Sequence, residues 1–206
     1  YPVPTTSNTE RQQWQESARN RLHQVLRLAP LADGGITADQ LVRQASTNSV
    51  TIEEYQLMTA DQLTLPMLVL CLDQPQDQDI IIAVADGGRT QMEDWIQRQI
   101  SLGSIVITVD LLFMGESIPT GISPWQYAML IATVGQRPLG IQVRQLQALV
   151  EWVCQKYQIS QVSLQSQGWN SGIVALATSG LSPGRIKTIN ATDALIDLKV
   201  LVKHHL

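Results

Sequence analysis

Basic charge, cysteine and histidine are all scarce in this chain, and each shortage removes a class of function. Of 206 residues, 14 are Lys or Arg and 18 are Asp or Glu, for a formal net charge of -4, and no run of basic residues occurs. A nucleic-acid backbone or an anionic membrane is therefore excluded as the main partner. The two cysteines, Cys71 and Cys154, fall in apolar strand-like and helix-like patterns, where a thiol acts as a small buried hydrophobe and no disulfide is expected. With three histidines and no Cys/His spacing of ligand type, no metal site is expected. Neither Gly-x-Gly-x-x-Gly nor a P-loop follows any strand, which argues against a nucleotide cofactor, and no other cofactor is implied. Apolar runs stop short of a membrane span. The chain starts YPVPTTSNTE without methionine, so a processed or cut terminus is expected and the compartment stays open.

What is present is enough for a single domain over residues 1–206, with glutamine supplying much of the polarity. An amphipathic helix is expected over about 9–28, with Trp14, Ala18, Leu22, Val25 and Leu26 near one stripe and Pro30 as terminator. His23 lies beside that stripe and reads as a surface or packing residue. SVTIEEYQLM and QLTLPMLVLCLDQ follow as two strands whose short join makes them antiparallel partners. The rhythm then changes. DIIIAVAD, TQMEDWIQRQISLG and SIVITVD alternate strand, helix and strand, and such apolar strands suit a parallel sheet covered on both faces. After a segment punctuated by Pro119, Pro124 and Pro138, a long helix carries Val143, Leu146, Leu149, Val150 and Val153 on one face. The strand-turn-helix QVSLQSQGWNSGIVALATSG and a last strand, RIKTINA, complete the pattern. The predicted fold class is α/β: a three-layer sandwich around a mostly parallel sheet with an antiparallel N-terminal strand pair.

Two segments carry a resemblance. VDLLFMGES at 109–117 resembles the D-x-R-G-x-G-x-S segment after the fourth strand of α/β-hydrolases, above all the acetyl xylan esterase-like branch. GQRPLGIQVRQLQALVEWV is similar to the Gly-x-x-x-x-Gly lead-in and long helix that those esterases place before the nucleophile strand. The resemblance covers residues 50–198. It implies a serine hydrolase of the carboxylic-ester type acting on a small ester or carbohydrate, export to a periplasmic or extracellular compartment, and further strands that this chain does not supply. It leaves the oligomeric state open. Leu112 and Phe113 stand where the pattern has Arg and Gly, so apolar bulk replaces a polar anchor there.

In such hydrolases Gly-x-Ser-x-Gly turns the strand into the helix with the nucleophile at its apex. Two registers are open here: one centres Asn170 between Gly168 and Gly172, the other centres Trp169. Neither side chain can attack a carbonyl carbon. Ser166 and Ser171 lie off register by at least one residue. Ser171 is the candidate nucleophile that remains, and its competing role is a helix N-terminal serine satisfying free amides. Asp193 and Asp197 come too early for the acid of a triad, and His204 and His205 lie at the end of the sequence. Catalysis is therefore expected to be impaired or absent. The loop AVADGGRT offers Gly87 and Gly88 as oxyanion or ligand-binding amides, which with the amides after Trp169 could form an anion-accepting cup, the competing reading being a plain glycine turn between strand and helix, and Arg89 could hold a carboxylate or equally be solvated. The alternative function is a non-catalytic carbohydrate- or partner-binding protein, for which Trp169 offers a stacking surface.

Overall fold

The computed structural model describes residues 7–28, 35–73, 79–195 and 197. His204 and His205 lie outside the described residues. In chain order the elements are α1 (Asn8–Leu26), β1 (Ile36–Thr47), β2 (Val50–Thr59), β3 (Thr64–Leu72), β4 (Ile80–Ala85), α2 (Glu93–Ser101), β5 (Ile105–Val109), α3 (Pro124–Thr133), α4 (Pro138–Lys156), β6 (Val162–Gln167), α5 (Trp169–Leu181) and β7 (Ile186–Thr192). The seven strands form one sheet in the order β1-β2-β3-β5-β4-β6-β7. From β5 across to β7 the neighbours are parallel. At the other edge β1, β2 and β3 pair antiparallel, and β3 joins β5 antiparallel.

The antiparallel part is thus one strand wider than the expected pair. That extra strand, β1, carries no alternating apolar pattern: ten of its twelve residues are exposed, and only Ile36 and Ala45 are half-buried. It reaches β2 through a two-residue turn in which Asn48 and Ser49 both take positive φ, 50° and 64°. This is the geometry that hairpins prefer and that Asn-Gly usually signals. Asn-Ser adopts it here without the glycine that would have announced it.

Two layers flank the sheet. On one face the expected stripe of α4 is realised, with Val143, Leu146, Leu149, Val150 and Val153 fully buried against Ile82, Val84, Ile107 and Leu164. Helix α5 joins this layer through Val174 and Ala175. Helix α1 leans on it through Leu22 and Leu26, but Val25 turns out to solvent and leaves the expected stripe. A side chain at Gly140 would run into the Leu26 carbonyl, so this glycine sets how closely α1 approaches α4. On the other face α2 packs Ile96 and Ile100 over Ala83, Ala85 and Val106. Parallel strands with crossover helices leave their C-terminal ends at one rim, where a ligand site forms in open α/β sheets.

Candidate functional site

The turn after β6 lies at that rim. Gly168 has φ 120° and ψ 174°, and Trp169 and Asn170 are already the first two residues of α5. The residue that reverses the chain is therefore Gly168, not Trp169 or Asn170 as the two sequence registers had it. A side chain at Gly168 would find the space filled. Its Cβ would lie 2.5 Å from Oδ2 and 2.8 Å from Cβ of Asp86.

Asp86, the residue after β4, closes the helix from outside. Its Oδ2 accepts the Asn170 amide at 3.1 Å and its Oδ1 accepts the Ser171 amide at 2.7 Å. Helix α5 has no side-chain cap from its own Gly168, so a carboxylate from a neighbouring strand meets both the free amides and the positive end of the helix dipole. The expected anion cup is present in geometry and already occupied by the chain itself. Asp86 escaped the sequence reading. The readable signal was a helix start, Gln-Gly-Trp, with no Ser, Thr, Asp or Asn to cap it, facing an aspartate at the end of the adjacent strand.

The glycine loop is likewise spent internally. The Gly87 amide donates to Gln91 Oε1 at 2.7 Å, the Gly88 amide to the Ala85 carbonyl at 3.0 Å, and the Arg89 amide to Asp110 Oδ1 at 2.9 Å. Gly88, at φ 84°, lies against the backbone of Gly115, where a Cβ could not fit. Arg89 is not solvated: its Nε lies 3.1 Å from Asp110 Oδ2 and its Nη2 2.5 Å from Glu116 Oε2. Gly87, Gly88 and Arg89 thus tie the loop after β4 to the loop after β5 rather than waiting for an oxyanion.

Asp110 is the centre of that tie, with a side chain only 2% exposed. Besides Arg89 it accepts the Glu116 amide at 3.1 Å, and its carbonyl accepts the Ser117 hydroxyl at 2.7 Å. The Asp, Gly and Ser of the resembled motif therefore hold one tight loop. Phe113, standing where the motif has glycine, takes φ 65°. Leu112 packs with Ile131 and Ile141, and Phe113 meets the Tyr127 ring edge-on at 5.8 Å.

Ser171 is fully buried, and its hydroxyl has no hydrogen-bond partner among the described residues. Among the described residues its hydroxyl meets no base and caps no amide, the Asn170 and Ser171 amides being satisfied by Asp86. Ser166 is equally buried and unpartnered on β6. His23, the one histidine among the described residues, is half-buried on α1. Its carbonyl accepts the Leu28 amide in the C-cap of that helix. Asp193 follows β7 at φ 54°. The described residues hold no group of three or more His, Cys, Asp or Glu able to bind a metal ion, and no helix among them is long and apolar enough to cross a membrane.

Beside the turn, the rim opens into a cleft of about 440 Å³. Asp86, Asn170 and Gln142 supply polar groups, Phe113, Leu139 and Ile173 supply apolar ones, and Arg137 stands among the lining residues. Trp169 is half-buried and is not among the residues that line it.

Compared by sequence, the chain matches no protein-family model and none of the curated proteins. Compared by structure it is similar to esterases. An acetyl xylan esterase from a Paenibacillus species superposes with a TM-score of 0.61 at 17% identity, over 100% of this chain and 66% of that one. A candidate acetyl xylan esterase from Bacteroides fragilis gives 0.69 at 14%, over 87% and 53%. The glucuronoyl esterase from Solibacter usitatus gives 0.60 at 10%, over 85% and 57%. The fold is that of the α/β-hydrolases. The chain spans between about half and two-thirds of the length of these three structures.

Proposed function

We propose that this protein is an acetyl xylan esterase-like member of the hydrolase fold in which serine-esterase chemistry is lost and the rim cleft binds a small ligand without turning it over. One observation carries the reading: the apex of the strand-to-helix turn is Gly168, and the Asp86 carboxylate fills both the space above it and the amides beside it. Acyl transfer needs a nucleophile and an adjacent set of free donors for the developing oxyanion. Glycine supplies no nucleophile. An anion placed on those amides repels the oxyanion that they would otherwise stabilise. A histidine brought in by any further part of the chain would still have no hydroxyl at the apex to deprotonate.

The ligand that suits the cleft is a neutral polyol such as a carbohydrate, since amide side chains and one carboxylate offer hydrogen bonds beside apolar surface. Export, which the family resemblance implies, belongs to the same proposal and is tested by cell fractionation. The decisive test of lost catalysis is labelling with a serine-reactive fluorophosphonate, read by intact mass. We expect no adduct. An adduct on Ser171 that disappears in Ser171→Ala would restore the hydrolase reading. Titration with acetylated and free xylo-oligosaccharides, followed by calorimetry, tests the ligand class, and silence across both sets would remove it.

A further inference from the structure

A second cavity lies elsewhere, on the α2 face of the sheet, and measures about 1080 Å³. Its floor is a two-strand apolar strip in which Val50 pairs with Leu72 and Ile52 with Leu70, and Leu68 extends it along β3. All five of these side chains are half-buried, not buried. Ile96 and Ile100 of α2 form the wall. The floor from Leu68 to Leu72 is roughly 14 Å long at the rise of an extended strand. A sheet strip this apolar is normally covered.

The two ends of the groove differ. One reaches the hairpin turn at Thr47 and Asn48. The other is polar and acidic: Glu93, Asp110 and Glu116 set three carboxylates against the single guanidinium of Arg89, an excess of two negative charges. Arg89 is committed to Asp110 and Glu116. Thr108, a lining residue of the groove, is 1% exposed, and its hydroxyl has no hydrogen-bond partner among the described residues. A buried hydroxyl left unpaired is unfavourable, and a ligand group reaching it relieves that cost.

We propose that this groove binds a single-chain amphiphile, its alkyl tail lying on Leu70 and Leu72 and a neutral or cationic head seated at the Thr108 end. The carboxylate excess selects against an anionic head, and the strip length suits a medium-length chain. This inference is independent of the rim cleft and of whether esterase chemistry survives.

The test titrates the protein with decanol, decyltrimethylammonium and decanoate, each below its micelle concentration, followed by calorimetry and by tryptophan fluorescence in the wild type and in Trp95→Phe, since Trp95 packs against the same cluster as Ile96. Decanol and decyltrimethylammonium should bind, and decanoate should bind about tenfold more weakly or worse. Leu70→Glu should abolish binding of decanol. Thr108→Val, which keeps shape and removes the hydroxyl, should weaken decanol about fivefold or more while leaving decyltrimethylammonium unchanged. If Leu70→Glu does not fold, the Thr108→Val comparison decides alone. No binding of any probe, equal binding of decanoate, or an unaltered decanol affinity in Thr108→Val would overturn the proposal. So would a dimer in sedimentation that Leu70→Glu converts to monomer, which would assign the groove to a second copy of the chain.

Discussion

Two residues, Gly168 and Asp86, decide what the rim can do, and they are coupled. At φ 120° a side chain at position 168 is strained by about 1–3 kcal/mol whatever surrounds it. The contact with the Asp86 carboxylate adds to this, so Gly168→Ser is expected to lower unfolding stability by about 2–4 kcal/mol in urea titrations. Asp86→Ala removes two charge-assisted hydrogen bonds to the start of α5 and is expected to cost about 1–2 kcal/mol. It also clears the space that the new serine needs. The double variant should therefore lose less than the sum of the two, by about 1 kcal/mol or more. Strict additivity would show that Asp86 does not obstruct position 168. Neither variant nor the pair should gain ester hydrolysis, since position 168 would acquire a hydroxyl with no histidine among the described residues that line the cleft beside it.

The loop that follows β5 shows how much of an element a sequence reveals. Its motif letters Asp110, Gly115 and Ser117 were legible, and they make the contacts that fix the loop. Its departures, Leu112 and Phe113, were legible as apolar bulk, and they build a small cluster with Ile131 and Ile141. Hidden from the sequence was the direction of Arg89, because a lone arginine beside glycines reads equally as a carboxylate holder or a solvated side chain. The same limit applied to β1, whose polar composition gives no period, and to the apex, where motif matching aligned glycines while backbone conformation follows φ. Asp110 makes the sharpest test of the tie. In Asp110→Asn the amide NH2 must face either the Arg89 or the Glu116 backbone N–H, donor against donor, in a buried site that also loses its charge. A loss of about 3–5 kcal/mol is expected by chemical denaturation, and a cost under about 0.5 kcal/mol, the usual range for surface substitutions, would contradict the role given to this residue.

At the scale of the whole molecule, the described residues cover the two faces of the sheet unequally. The α4–α5 face is closed over with large aliphatic side chains. The opposite face has the half-buried apolar groove at β2 and β3, while at β6 and β7 polar residues bond one another across the strands, Thr188 to Ser163 at 3.0 Å and Gln165 to Thr192 at 3.4 Å. Burial sets the response of the fold to alkaline pH. Burial pushes the Cys71 and Cys154 thiols up, aided by Glu53 and Asp73 for Cys71 and by Glu151 for Cys154, with Arg185 opposing the latter. Burial also raises the Tyr157 phenol, helped by Glu53 and then by Tyr55 and Cys71. A raised folded-state value means that the native protein holds its proton where the unfolded chain has released it. Stability is then intact below the unfolded values, about 8.5 for Cys and 10 for Tyr, and is lost as pH rises above them toward the folded values. Urea midpoints should accordingly stay level through neutrality and fall from about pH 9 upward. Cys154→Ala should flatten the first part of that fall, and midpoints that climb above pH 9 would mean that these groups ionise more readily inside the fold than outside it.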